Sequence, residues 1–424
     1  RTTPAAAAVA VGVAAAPTWR NTSHLLVSNT VSHPAVGHEQ YYGVVSVAVD
    51  GGADDVRVVV PAEPSFASSE PDEMALSPYD GLLYIADFAT DRIVTYDVHQ
   101  PPAADTAAAD FLTHEHSSGS GDESDPLWAP RGLAFAGGYL FVAGRNTHSI
   151  RVYSVRTKAM VYEYAIPQLD VDDANEKFDN STHRSESRSR TAANVEAVVV
   201  APDGRSLLVS TYGYGILRVK LTPPLPPVGS SEEEMVAFGD DASPTAFLSG
   251  GSGNSSSATT GTIAMELVDR VRFDTLTLVG VDDSDHFITN SMHANALLFD
   301  ADFVGSGGGG AVGDDRVGGA DAHGSTIVVS DEGEYAAWRL YVTTDTGSAL
   351  AVVLVPHDMP NATIEADNTL MKVHHVYTRF HGYIRGVAWH YQDQVLVVSA
   401  MSTNEISVVD VSGTDALVAA GAPE

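Results

Sequence analysis

The chain has 424 residues, 44% of them hydrophobic, so it holds enough apolar material for a large core. Acidic residues outnumber basic ones, 55 to 23, for a formal charge of −32, and a field of that sign argues against a nucleic-acid partner. There is no cysteine, which excludes disulfides, thiolate metal sites and a cysteine nucleophile, and no long apolar run, which excludes a membrane-spanning helix.

In chain order, the Ala/Val stretch Ala5 to Ala16 reads as a first strand, with residues 1–4 as a frayed end. His24-Leu25-Leu26-Val27-Ser28-Asn29 opens a recurring pattern, an apolar strand closed by a small or polar residue. Its next copies are Leu82 to Asp87 and Tyr139 to Gly144, then Ser206 to Thr211. Asp285 to Asn290 is a degenerate copy, and Arg339 to Thr344 and Val395 to Ala400 complete the set. A strand and tight turn usually precede each copy, as in Glu73 to Gly81 and Ala197 to Gly204. In Pro202-Asp203-Gly204, Pro presets φ, Asp caps its own backbone and Gly takes positive φ. Alternating strands follow at Arg92–Asp97, Ser149–Ser154 and Glu405–Asp410, and more variable ones fit at Val56–Val60 and Val161–Ile166.

The second residues of the copies fall at positions 25, 83, 140, 207, 286, 340 and 396. Polar or low-complexity stretches near 100–129, 167–193, 222–262 and 304–323 lack the apolar content for cores of their own and read as surface loop insertions. Seven units of four antiparallel strands predict one all-β domain over residues 1–424, a seven-bladed β-propeller. Six blades is the alternative, because the fifth copy is poor. Paired sandwiches would not repeat their turn chemistry at this interval, and solenoid rungs would be shorter.

Ser77-Pro78-Tyr79-Asp80-Gly81-Leu82-Leu83-Tyr84-Ile85-Ala86-Asp87 resembles an NHL-type repeat, and Ala201-Pro202-Asp203-Gly204-Arg205-Ser206-Leu207-Leu208-Val209-Ser210 resembles the YVTN, lactonase-like repeat. The resemblance implies a propeller and leaves function open, because such folds include enzymes, scaffolds and binding proteins.

Projecting the repeat places Glu73, Arg131, Glu196 and Arg385 near the starts of innermost strands, and Asp87, Arg145, His148, Asn290 and His293 after second strands. Glu73, Asp87, Arg131, Arg145, Glu196, Asn290 and Arg385 are therefore candidate ligand groups at a channel mouth. They can bind a polar ligand, or they can satisfy one another across neighbouring blades. The resemblance implies that a divalent ion such as Ca²⁺ or Zn²⁺ can sit in such a channel, with Glu73, Glu196, Asn290, His148 and His293 as candidate ligands. No cofactor is expected otherwise. His114 and His116 in a Ser/Gly-rich loop, and Asp170-Val171-Asp172-Asp173-Ala174-Asn175 without the required Gly and Glu, are weaker metal patterns.

No nucleophile elbow, phosphate loop or dinucleotide fingerprint occurs. Four sequons start at Asn21, Asn180, Asn254 and Asn361 and suit a secreted glycoprotein. These features together predict an extracellular or cell-surface interaction or structural module, with other proteins or glycans as partners and a larger assembly in reach. The alternative is a propeller-type hydrolase or lactonase with a divalent metal at the channel mouth.

Overall fold

A computed structural model describes residues 10–14, 24–29, 43–48, 56–60, 71–88, 90–97, 109–112, 129–167, 194–212, 215–226, 263–271, 294–299, 326–330, 333–344, 349–357, 370–377, 380, 384–390, 395–400, 403 and 405–409. Every regular element among them is a β-strand. The first sheet runs in the order β1 (Ala10–Ala14), β2 (His24–Asn29), β3 (Gly43–Ala48), β4 (Val56–Val60). The second comprises β5 (Pro71–Leu76), β6 (Leu83–Asp87), β7 (Arg92–Tyr96) and β8 (Ala109–Leu112). The third has β9 (Pro130–Ala136), β10 (Tyr139–Gly144), β11 (Ser149–Ser154) and β12 (Met160–Ala165). The fourth is β13 (Asn194–Val200), β14 (Ser206–Tyr212), β15 (Gly215–Thr222) and β16 (Ala264–Val271). In the fifth, β17 (Ala294–Phe299) and β18 (Thr326–Ser330) both pair with the long β19 (Gly333–Thr344), followed by β20 (Ala349–Pro356) and β21 (Lys372–Tyr377). The last holds β22 (Ile384–His390), β23 (Val395–Ala400) and β24 (Glu405–Val409).

All pairings are antiparallel. The innermost strands lie side by side in a ring, from β1 to β5, β9, β13, β17 and β22, and β22 returns beside β1. The chain is thus a β-propeller, but not the one expected. Uniform four-stranded blades, in the seven-bladed layout or its six-bladed alternative, are overturned: one sheet has five strands and another three. The seven-fold count fails around its fifth copy. Asp285 to Asn290 lies outside the described residues, and β17 just after it pairs directly with the sixth copy, Leu297 opposite Val342 and Phe299 opposite Leu340. One sheet therefore occupies chain that the spacing divided between two blades. The supposed insertion at 100–129 also contributes a strand, β8, paired to β7.

The near-continuous apolar runs of β10 and β19 have a simple cause: both faces of their sheets are covered. On β10, Leu140 and Val142 pack with Tyr84 and Ile93 of the second sheet, while Phe141 and Ala143 pack with Val198 and Leu207 of the fourth. On β19, Leu340 and Val342 meet Leu208 and Ile216 of the fourth sheet, and Tyr341 meets Trp389 and Leu396 of the last. Side chains of period two thus feed two different interfaces. The outer strands β12 and β24 expose Met160, Val161, Ile406 and Val408. Polar ties join the sheets as well. The buried Asp269 carboxylate on β16 accepts from the backbone N–H groups of Leu370 (3.2 Å) and Met371 (3.1 Å) leading into β21, and Asp91 accepts from Ala129 N.

Each innermost strand carries an irregularity near its start. Residues 11–12 of β1 sit opposite residue 28, 72–73 of β5 opposite 86, 131–132 of β9 opposite 143, and 295–296 of β17 opposite 343. The register also slips at Glu196 on β13 and Arg385 on β22. These are β-bulges, which re-aim side chains and increase local twist. The backbone N–H freed by the bulge needs an acceptor. In three sheets a hydroxyl from the second strand supplies it: Ala197 N donates to Ser210 Oγ (2.8 Å), Ala296 N to Thr343 Oγ1 (3.0 Å) and Gly386 N to Ser399 Oγ (3.0 Å). In these three repeats the stitching hydroxyl belongs to the next-to-last residue of the repeated strand.

Candidate functional site

The starts of the innermost strands and the ends of the second strands share one end of the propeller, as the pairings Pro71 with Asp87, Pro130 with Gly144 and Asn194 with Tyr212 require. The bulges concentrate at this end. They fall on or beside Glu73, Arg131, Glu196 and Arg385, the residues that the repeat projected there.

Three of the sequence candidates come together. Arg131 on β9 donates from Nη1 to Glu196 Oε2 on the adjacent β13 at 2.6 Å, and Arg145, just after β10, brings its Nε within 3.1 Å of Glu196 Oε1. The Arg131 and Glu196 side chains are only 9% and 4% exposed, whereas Arg145 keeps 29%. Both guanidinium carbons lie over the ring of the half-buried Phe88, at 4.7 Å and 5.7 Å from its centroid. Close packing permits this approach. A Cβ on Gly132, the residue after Arg131, would stand 2.5 Å from Ala197 Cα, so only glycine lets β9 come this near β13.

Phe88 was not among the sequence candidates, yet a signal existed. It stands at the same offset from Leu83 as Arg145 from Leu140, the first position past the second strand. Its aromatic character hid it from a search for charged and metal-binding residues.

The other candidates have different surroundings. Asp87 is buried and serves its own hairpin, accepting from Thr90 Oγ1, Thr90 N (3.4 Å) and Arg92 Nε (3.0 Å). Glu73 is half-buried on β5. Arg385 is half-buried on β22, and its carbonyl accepts from Thr343 Oγ1 at 3.0 Å, which ties β22 to the neighbouring sheet. His148 occupies a turn with φ of +52°, and its carbonyl accepts from Ile166 N at 2.9 Å. Asn290, His293, His114, His116, residues 170–175 and the sequons at Asn21, Asn180, Asn254 and Asn361 lie outside the described residues.

Among the described residues, no group of three or more His, Cys, Asp or Glu side chains gathers as a metal site would require. The setting of Glu196 also fits a divalent cation poorly: two guanidinium groups already engage its carboxylate and would repel a second positive charge. What the cluster can do is present guanidinium donors, held by an aromatic plate, at the rim of the propeller.

No family model matches the chain, and no curated protein matches it in sequence. Solved structures of similar shape include the Myceliophteria thermophila Cps50 (Swd1) β-propeller domain, at 11% identity and a TM-score of 0.44, covering 95% of this chain and 84% of that one. Streptogramin B lyase gives 9% identity and a TM-score of 0.43 over 96% of this chain and 95% of its own. An auxiliary nutrient binding protein from Bacteroides ovatus gives 9% and 0.46, over 95% of this chain and 70% of its own. At these identities and scores the likenesses carry no functional argument.

Proposed function

We propose that this propeller is a non-catalytic interaction module, working outside the cell or at its surface in an assembly with other proteins or glycans. One observation carries the reading: Glu196, a buried acid of the expected channel ring, is engaged by Arg131 and Arg145. A carboxylate so held is a poor general base and a poor metal ligand, because the two adjacent guanidinium groups favour its charged, unprotonated form and repel an incoming cation. The sequons at Asn21, Asn180, Asn254 and Asn361 support the extracellular setting. Kinship with NHL and YVTN repeats belongs to the same proposal. It is supported by the Asp-Gly turns, in which Asp80 Oδ1 accepts from Leu82 N (3.2 Å) and Asp203 Oδ1 from Arg205 N (3.0 Å).

Thermal melts with and without chelator, and with added Ca²⁺ or Zn²⁺, test the module reading against the metal-dependent hydrolase. The midpoint should stay fixed throughout. A chelator-induced drop of several degrees in the native protein overturns the module reading. Mass spectrometry of native protein tests the location, and four bare sequons would remove its main support.

A further inference from the structure

We propose that Arg131, Arg145 and Phe88 form a docking site for the carboxylate of an acidic side chain on a partner protein whose surface is otherwise basic. The proposal rests on reading the protein as an interaction module and names the chemistry of its partner.

Charge is the first argument. Two guanidinium groups share one carboxylate, so the cluster carries one positive charge in a chain of net −32. The second argument is what remains unused. Arg145 reaches Glu196 only through Nε, and among the described residues nothing accepts from its Nη1 or Nη2, while its side chain stays 29% exposed. Those donors form the planar fork that grips a carboxylate with two parallel bonds.

Preorganisation is the third. Phe88 holds both guanidinium groups over its ring, and Glu196 contacts both, so little side-chain entropy is lost when a ligand arrives. Glu196 already demonstrates the recognition, because it is a carboxylate gripped by this pair.

The surrounding field selects the partner. A surface of −32 repels a free acid at long range and attracts a basic protein. An acid embedded in that basic surface then fits this locally positive spot, which sets register as well as attraction. A small free acid would have to approach against the field with nothing to offset it.

The probes are acetyl-Lys-Gly-Glu-Gly-Lys-amide, its Gln counterpart and D-glucuronate, titrated into the full chain at fixed salt and followed by ligand-observed NMR. The Glu peptide should bind saturably, about tenfold more tightly than the Gln peptide. Arg145→Gln should abolish that preference. Glu196→Gln should strengthen Glu-peptide binding, because it removes the internal negative charge that offsets the two guanidinium groups, and a purely structural role of the cluster would not produce this. Arg145 is partly exposed, so Arg145→Gln remains decisive if Glu196→Gln fails to fold. Equal binding of the two peptides, an unchanged preference in Arg145→Gln, or glucuronate binding as tightly as the Glu peptide overturns the proposal. A chelator-sensitive melt sinks the module reading itself. Equal peptide binding with a chelator-insensitive melt sinks only the docking site.

Discussion

The backbone N–H of Ala197 donates to the side-chain oxygen of Ser210 across the β13–β14 pair at 2.8 Å. Glu196, directly before Ala197, is the extra residue of the bulge, so the hydroxyl fills the gap left in the ladder. Ser210 is fully buried. Ser210→Ala leaves that N–H without its acceptor and should cost about 1–3 kcal/mol. Ser210→Thr should cost much less, because Thr343 performs the same service for Ala296 on β17. Urea denaturation of the three proteins checks the order, and equal stability of Ser210→Ala and wild type would deny the stitch any role.

Gly132 faces a backbone and not a side chain. An added Cβ would meet Ala197 Cα at 2.5 Å and Val198 N at 2.7 Å. No rotamer change relieves that contact, so β9 and β13 must separate. Gly132→Ala should lower stability by about 1–3 kcal/mol or more. Because Arg131 and Glu196 lie on these same strands, the variant should also loosen their ion pair. A thermal melt tests the first effect, and loss of the Glu-over-Gln peptide preference tests the second.

His374 lies on β21, and its pKa is lowered from the ordinary histidine value by desolvation first, then by the charges of His375 and Arg339. The folded chain therefore takes up this proton less readily than the unfolded one. Stability from this group is present above about pH 6.5 and is lost as pH falls from there through the lower folded value. His374→Gln should flatten the fall in stability between about pH 7 and pH 5 relative to wild type. Chemical denaturation at several pH values measures this, and identical slopes for the two proteins would count against it.

Much of the fold was legible because burial on both sheet faces forces apolar strands such as Leu83–Asp87 and Tyr139–Gly144, and the turns between them have few chemical solutions. Asp80-Gly81 and Asp203-Gly204 work as their residue types require: each Asp accepts from a nearby backbone N–H, and Gly81 and Gly204 take φ of +70° and +68°. The blade count was not legible, because spacing alone cannot show that β17 pairs with β19 across a long intervening segment. Within the site, Arg131, Arg145 and Glu196 could be found by projecting the repeat. Their partnership depends on bulges and on the glycine approach of β9 to β13, which leave only faint marks in the sequence: a hydroxyl at Ser210 and a missing side chain at Gly132.

The Arg131–Glu196 pair sets the last test, because its two partners fail differently. Arg131 Nη1 and Glu196 Oε2 are 2.6 Å apart, with both side chains almost wholly buried. Arg131→Ala leaves Glu196 its contact with Arg145, which is more exposed and lies against Oε1. Stranding a fully buried charge costs about 3–5 kcal/mol, and the remaining Arg145 contact should reduce this. Glu196→Ala removes the acid and leaves two guanidinium groups over one ring, which repel each other. Removing both Arg131 and Glu196 takes away the acid together with the guanidinium that would repel Arg145. The double variant should therefore be more stable than the sum of the single losses implies, by about 0.5–3 kcal/mol. Equilibrium denaturation of the four proteins closes the cycle. Strict additivity would show that the contact carries no coupling, and would remove the observation on which the proposed function depends.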